Sequence, residues 1–510
     1  PRTSTKRTFS GGDMDEIVRS LNRFGPELIL TAALLLVVLV DASGIALRNG
    51  FNRFLTALGL VAALVACPAL ARPDAAGPIF SGMLHVDPMG VFFKVVLLAA
   101  SLLLLLSFTF ENSRELHGLG QGEFYALLLA LTFSNLLLAA SNDTVMLYLA
   151  LEMVSITSYI MVGYMKGDRM SNEASLKYVL FGAVSTGAML YGLSLLFGLT
   201  GTTEFEQIRE ALVTGLSEQN RVATYAITLF IFAGFAFKTA LVPAHFWCPD
   251  VYQGAPTPVT ALLSVAPKAA GFAVMLRFFF GSLSTPVSAP LDLVGTLDWP
   301  AMLMVVSILT MTAGNVAALT QTNMKRLLAY SSIAHAGFIL MGVVALSETG
   351  ARGMMVYLLA YLFMNLGAFL VVTLVHRQDG TFDLRDYAGL VRRSPFLTFA
   401  MAVFVLSLVG IPPLVGYLGK LYVFAAAVES GLYTLAVAGA LNAALGAYYY
   451  FRILKTMVVD EGDSAKAAFD LPLLDKAWLV FFMIANLAPI LLWGAIDGWT
   501  RSSLPLLAAR

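Results

Sequence analysis

Apolar windows of about 20 residues, the length that crosses the hydrocarbon core of a bilayer as a helix, recur fourteen times along this chain. They fall at approximately 27–46, 54–71, 89–110, 123–140, 143–165, 174–199, 223–247, 256–281, 299–320, 326–346, 350–375, 395–427, 429–456 and 476–499. Hydrocarbon offers the backbone no hydrogen-bond partner, so each window must satisfy its own amides and carbonyls as a helix. The expected fold is an all-α polytopic membrane protein of about 14 transmembrane helices. Composition agrees, since 58% hydrophobic residues, 13% charged residues and a mean hydropathy of +0.79 lie far from a soluble domain's balance. The formal charge is zero and no basic block occurs, which leaves no electrostatic footprint for nucleic acid. Cys67 and Cys248 are far apart, each beside a proline, and lack metal-ligand spacing; they read as small buried hydrophobes. The polar stretch 1–25 contains no short apolar core with a cleavage site, so the first window reads as a retained span, not a signal peptide.

An even number of spans puts both termini on one side. The loops opposite the termini carry Arg48, Arg53, Arg114, Lys166, Arg169, Lys325, Arg326, Arg377, Arg385, Arg392, Arg393, Lys455, Lys466 and Lys476, while the termini-side loops hold Arg72, Arg209, Arg221 and Arg352. By the positive-inside rule the termini face outward, although Lys6, Arg7, Arg19 and Arg23 in the N-terminal tail pull the other way.

Two windows carry helix breakers. The run 395–427 exceeds a bilayer by roughly ten residues and contains Gly410-Ile411-Pro412-Pro413 in its middle. A proline pair removes two backbone donors and clashes with the preceding turn, so helix 12 is expected to be broken. The seventh window holds Lys238 and then Pro243, which predicts a second break. A weak internal repeat lays Leu131–Gly163 on Leu309–Gly342 and puts the two breaks in corresponding places. Five-helix units that start at opposite sides are inverted repeats, a transporter signature. The chain then divides into a polar tail (1–25), helices 1–3 (26–122), a first repeat of helices 4–8 (123–281), a second of helices 9–13 (299–456), and helix 14 with the C-terminus (476–510).

Lys238, Lys268 and Lys420 lie deep inside apolar windows, and Glu152 lies deep inside another. Counted along a helix, Glu152, Lys238 and Lys268 fall roughly 14 to 18 Å from the nearest surface, and Lys420 reaches a similar depth. An ion there is costly without a partner, water or a function. A lysine's proton affinity falls when it is desolvated and rises beside a carboxylate, so such a group is a switchable proton site. The expectation is a relay in which Lys238 loads a proton under the control of Glu152, Lys268 passes it laterally and Lys420 releases it. Structural ion pairs are the plainer alternative. Lys177, one turn after Glu173, suits either an interfacial pair or a place in the path. His335, after Ser331 and Ser332, suits either a water chain or a satisfied core histidine. Lys94 reads as a snorkelling lysine, and Tyr448-Tyr449-Tyr450 as an interfacial aromatic belt. No Walker A loop, dinucleotide fingerprint or iron–sulfur cysteine cluster occurs, so the driving energy must come from elsewhere.

Phe237-Lys238-Thr239-Ala240-Leu241-Val242-Pro243-Ala244-His245-Phe246-Trp247 continues through PDVYQGAPTPVTALLSVAPKAAGFA; LEMVSITSY surrounds Glu152, MKRLLAYSSIAHAG surrounds Lys325 and GIPPLVGYLGK ends at Lys420. Together these segments resemble the antiporter-like subunits of respiratory complex I over nearly the whole chain. The resemblance implies fourteen helices with inverted bundles at helices 4–8 and 9–13. It implies a glutamate–lysine pair at Glu152 and Lys238, further relay lysines at Lys268, Lys420 and Lys177, and a hydrated polar axis linking them. Lysine at position 420 departs from the helix-12 glutamate of subunit M, and the long lateral helix of subunit L has no counterpart. The resemblance also implies that this chain holds no cofactor, with NADH, flavin, iron–sulfur clusters and quinone in other subunits. Its expected partners are the membrane-arm subunits M and K and lipids, in the bacterial inner membrane with periplasmic termini. The same module serves multisubunit cation/proton antiporters and membrane-bound hydrogenases, and an independent carrier or a spacer without pumping stays open on the residues alone.

Overall fold

The computed structural model describes residues 11–44, 48–72, 75–109, 115–116, 119–216, 221–285, 292–293, 298–462 and 467–504. Helices stand at every expected window. Helices 1 to 5 are Gly25–Ala42, Arg48–Ala66, Pro88–Ser107, Gln121–Ala140 and Thr144–Val162, and helix 6 is Arg169–Thr200. Helix 7 is split into 7a (Arg221–Thr239) and 7b (Trp247–Gly254), followed by helices 8 (Thr257–Ser282), 9 (Trp299–Ala318), 10 (Met324–Val344) and 11 (Glu348–Asp379). Helix 12 is split into 12a (Pro395–Val409) and 12b (Val415–Glu429), and helices 13 (Tyr433–Val458) and 14 (Leu473–Leu491) close the series. Among the described residues, twelve helices are long and apolar enough to cross a membrane unaided. The two that fall short are helix 12, whose halves have 15 residues each, and helix 13, diluted by Asn442 and four tyrosines.

Short polar side chains start these helices. Asp87, Asp143, Asp168, Asn323 and Ser347 precede helices 3, 5, 6, 10 and 11, and each accepts a hydrogen bond from an amide of the first turn. The segment 11–23, expected as part of a polar tail, forms an amphipathic helix with Met14, Ile17, Val18 and Leu21 exposed along one side. Lys6, Arg7, Arg114 and Lys466, used in the orientation argument, lie outside the described residues; the Arg48 side chain does too.

Two stretches of the chain echo one another. Helices 6 and 11 both have 32 residues and both end on a left-handed glycine, Gly201 and Gly380. The start of helix 5 is clipped to the segment after helix 6 by Thr144 N to Thr203 O and Phe205 N to Asn142 O. The start of helix 10 is clipped after helix 11 by Met324 N to Phe382 O and Leu384 N to Thr322 O. Each stretch is followed by a helix broken at a proline, with cis Val242–Pro243 in one and cis Pro412–Pro413 in the other.

Helix 8 is buried along its whole apolar window, and helices 10 and 11 nearly so; helix 8 packs against helices 3, 4 and 11. A helix apolar on every side belongs in the interior of a membrane bundle. Helices 1, 2, 6 and 14 bury about a third of their windows or less and turn leucine, valine and isoleucine outward, as a lipid-facing surface requires.

Candidate functional site

Lys238 lies in the last turn of helix 7a, which ends at Thr239 because the chain then passes Ala240 at φ 58° and Pro243. A break inside a membrane orphans backbone groups, and here side chains take them up. Thr310 Oγ1 accepts from Val242 N at 3.0 Å, and Trp247 Nε1 donates to Phe237 O at 3.1 Å. The Lys238 amine is buried and donates to Ser155 Oγ of helix 5 at 3.4 Å. Glu152 lies one turn earlier on helix 5, half-buried, and near enough to act electrostatically on Lys238. Gly271 of helix 8 clears the lysine stem, since a Cβ there would come within 2.9 Å of Thr239 and 3.4 Å of Lys238.

Lys268 occupies the middle of helix 8, directly after Pro267, and is buried. Its amine donates to the carbonyl and the Oγ of Ser332 on helix 10, at 3.1 and 2.5 Å, and lies 5.9 Å from the Tyr252 ring centre. That distance suits a cation–π contact.

Lys420 projects from helix 12b across the second break. Its amine donates to Leu408 O at 3.1 Å and Val409 O at 2.7 Å, the last carbonyls of helix 12a, and lies 5.0 Å from the Phe338 ring centre. The orphan carbonyls of a broken helix and the negative end of its dipole thus meet a cation. Gly410 makes the turn at φ 88°, and a Cβ there would lie 2.8 Å from the Lys420 stem.

Between Lys268 and Lys420 stands a polar cluster. His335 Nδ1 meets the Tyr357 hydroxyl at 2.8 Å and Nε2 meets the Tyr450 hydroxyl at 3.0 Å; that hydroxyl also bonds Ser331 Oγ. A cavity of about 10 Å³, room for about one water, is walled by His335, Lys420, Tyr450 and Asn442 among others. One sequence reading changes here. Tyr449 and Tyr450 are buried and hydrogen-bonded, and only Tyr448 faces outward, 64% exposed, because helical rotation separates consecutive residues by about 100°. Both ring nitrogens of His335 are hydrogen-bonded, and the partners are hydroxyls.

Lys177 stands apart from these lysines. It pairs with Glu173 at 2.8 Å and with Asp250 of helix 7b at 2.6 Å, and Arg326 of helix 10 bonds the other Asp250 oxygen. Partial burial opposes ionisation of Asp250, but Lys177 and Arg326 outweigh it and hold the carboxyl below its usual range.

Lys94 is a correction. It does not snorkel: it is buried and pairs with Glu27 of helix 1 at 2.7 Å, because helix 1, packed against helices 2 and 4, brings that carboxylate alongside it. Two further buried cations are paired in the same way. Arg277 forks onto Asp87 at 2.6 and 2.9 Å, and Lys325 meets Glu115 at 3.2 Å while Glu115 also accepts Thr257 N at 2.6 Å. Burial disfavours the Glu115 anion, yet Lys325 and the Thr257 amide pull its carboxyl below the ordinary value. The interior Lys238, Lys268 and Lys420 differ, since their polar contacts among the described residues are hydroxyls and carbonyls, not carboxylates.

Interrupted helices lined with buried ionisable groups define a polytopic membrane protein of the ion-translocating kind. The profile of the family described as NADH:quinone oxidoreductase/Mrp antiporter, transmembrane, matches residues 141–446, which contain Glu152, Lys177, Lys238, Lys268, His335 and Lys420. A relative from Anaeromyxobacter sp., named NADH-quinone oxidoreductase subunit N, is 42% identical over 97% of this chain and 98% of its own. A chain of respiratory complex I from Thermus thermophilus is 30% identical with a TM-score of 0.75, covering 92% of this chain and 98% of that one. A chain of the archaeal membrane-bound sulfane sulfur reductase, 22% identical with a TM-score of 0.82 over 95% of this chain and 97% of its own, shares the fold. This chain belongs to the NADH:quinone oxidoreductase/Mrp antiporter membrane family. Within it, the sequence resembles subunit N in particular, and the name of the Anaeromyxobacter relative agrees.

Proposed function

We propose that this chain is a proton-translocating membrane-arm subunit of an NADH:quinone oxidoreductase, moving protons while quinone is reduced in other subunits. The observation that carries the proposal is the state of the interior lysines: Lys238, Lys268 and Lys420 sit at or between helix breaks with hydroxyl and carbonyl partners instead of a contacting carboxylate. An amine held this way has its charge uncompensated by a contacting anion, so its protonation responds to small electrostatic changes nearby. Lys238 takes up a proton under the influence of Glu152, Lys268 receives it laterally, and Lys420 releases it. Lys177 serves the rim of the path and His335 its interior.

Helices 4–8 (123–281) and 9–13 (299–456) act as two inverted five-helix units; the equal lengths of helices 6 and 11, the paired backbone clips and the two proline breaks support that reading. Subunits M and K are its protein neighbours and lipid covers the outer helices, in the bacterial inner membrane with both termini periplasmic. The redox cofactors reside in other subunits; among the described residues no group of three or more His, Cys, Asp or Glu is placed to hold a metal.

The test is H⁺ moved per NADH oxidised by the assembled complex in proteoliposomes. Lys238→Ala and Lys420→Ala are expected to lower that ratio without loss of assembly. Wild-type ratios in both variants would sink the assignment.

A further inference from the structure

Resting on that reading, we infer that Tyr450 and Tyr357 are proton-relay residues, and that with His335 they form a reversible hydrogen-bond wire between the Lys268 and Lys420 sides of the protein. Tyr450 is the hub, since its one hydroxyl touches both Ser331 Oγ and His335 Nε2, the latter at 3.0 Å. The other imidazole nitrogen meets Tyr357 at 2.8 Å. The run stands between the two lysine sites. Ser331 is the chain neighbour of Ser332, which holds the Lys268 amine at 2.5 Å. Tyr357 packs on Gly419, the residue before Lys420, where an added Cβ would come within 3.0 Å of it. The small cavity beside the hub has Lys420 in its wall.

The chemistry of the three groups favours a wire. A neutral imidazole has one donor and one acceptor nitrogen, and a phenol both donates and accepts, so a Tyr–His–Tyr run has two internally consistent hydrogen-bond directions. A proton reaching Tyr450 oxygen from the Ser331 side forms one O–H bond as Tyr450 gives its own proton to Nε2. His335 then gives the Nδ1 proton to Tyr357, which releases its own O–H proton to the neutral amine of Lys420, the base on that side, through water. Each step breaks one O–H or N–H bond and makes another, and one proton moves without a buried tyrosinate being formed. Afterwards the run points the other way, and rotation of the hydroxyls with a change of tautomer resets it.

Tyr449 touches the hub as well: its hydroxyl bonds Asn315 Oδ1 at 3.1 Å and interacts with Tyr450 and Ser331, and its ring is tilted against the Tyr450 ring with centres 4.3 Å apart. Tyr387 supplies the control, since it is buried and its hydroxyl has no hydrogen-bond partner among the described residues. The experiment compares Tyr450→Phe, Tyr357→Phe, Tyr387→Phe and Lys420→Ala complexes for assembly, thermal midpoint, NADH oxidation and H⁺ moved per NADH. Tyr450→Phe and Tyr357→Phe are expected to drop the ratio at least twofold, to the level of Lys420→Ala, with unchanged assembly and midpoint, while Tyr387→Phe keeps the wild-type ratio. A wild-type ratio in Tyr450→Phe beside a lowered one in Lys420→Ala overturns the wire and leaves the lysine relay standing. A wild-type ratio in Lys420→Ala removes the relay reading itself. An equal fall in Tyr387→Phe and Tyr450→Phe, or a fall that follows the thermal midpoint, assigns the effect to packing and overturns the wire.

Discussion

The protein treats its buried and half-buried cations in two ways. Lys94, Arg277 and Lys325, at helix ends around the rim, each touch a carboxylate: Glu27, Asp87 and Glu115. Lys238, Lys268 and Lys420, within the bundle, rest on Ser155, on Ser332 and on the carbonyls of Leu408 and Val409. A contacting carboxylate fixes a cation's charge and makes it a fastener. An amine without one has no contacting anion to hold its proton, and its charge is free to change. The difference separates holding from working more sharply than depth alone does.

The largest effect should come from breaking a fastener. Lys94→Met strands Glu27 and is expected to cost about 3–5 kcal/mol of stability, read as a fall in thermal midpoint, and the further change Glu27→Leu should restore most of it. Lys268→Met tests the opposite class: with no partner ion to strand, the midpoint should hold or rise while H⁺ moved per NADH falls. A large loss of stability in Lys268→Met would erase the distinction. Gly410→Ala puts a methyl 2.8 Å from the Lys420 stem at φ 88° and should cost about 1–3 kcal/mol, with pumping reduced alongside. Ser155→Ala removes one hydrogen bond from Lys238, so a barrier change of about 0.5–1.5 kcal/mol, up to roughly tenfold in coupled rate, is expected without unfolding.

The smallest effect concerns acid. The carboxyl of Asp250 is lowered from the usual 3.8 by Lys177 and Arg326, so its contribution is whole above that value and is lost as pH falls through the lower folded value. Proteolysis at the junction of helices 6, 7b and 10 should therefore quicken in the wild type below about pH 4, while Asp250→Asn should show little of this pH dependence.

Much of this was legible before any coordinates. Breakers are local, so Pro243 and Gly410-Ile411-Pro412-Pro413 located both interruptions, and spans built from apolar runs needed no knowledge of neighbours. The fate of Lys94 was not legible, because its partner Glu27 comes from another helix 67 positions earlier, and nothing in the local run distinguishes snorkelling from pairing. The tyrosine triplet misled for a different reason. Three consecutive residues cannot share one face of a helix, and the useful signal was the spacing of Asn442, Gly446, Tyr449 or Tyr450 and Ile453, all of which are buried on helix 13. Lys177 showed its i,i+4 partner in the sequence, whereas Asp250 required the fold to bring helix 7b alongside.

The splice at helix 12 has a mechanical corollary. The lysine of one half-helix grips the bare end of the other through two hydrogen bonds, with the dipole of the first half drawing its charge inward. Discharge of the amine must slacken that joint. By the reciprocity of linkage, any force that opens the joint must loosen the proton too, so bending and ionisation at this point are one event seen from two sides.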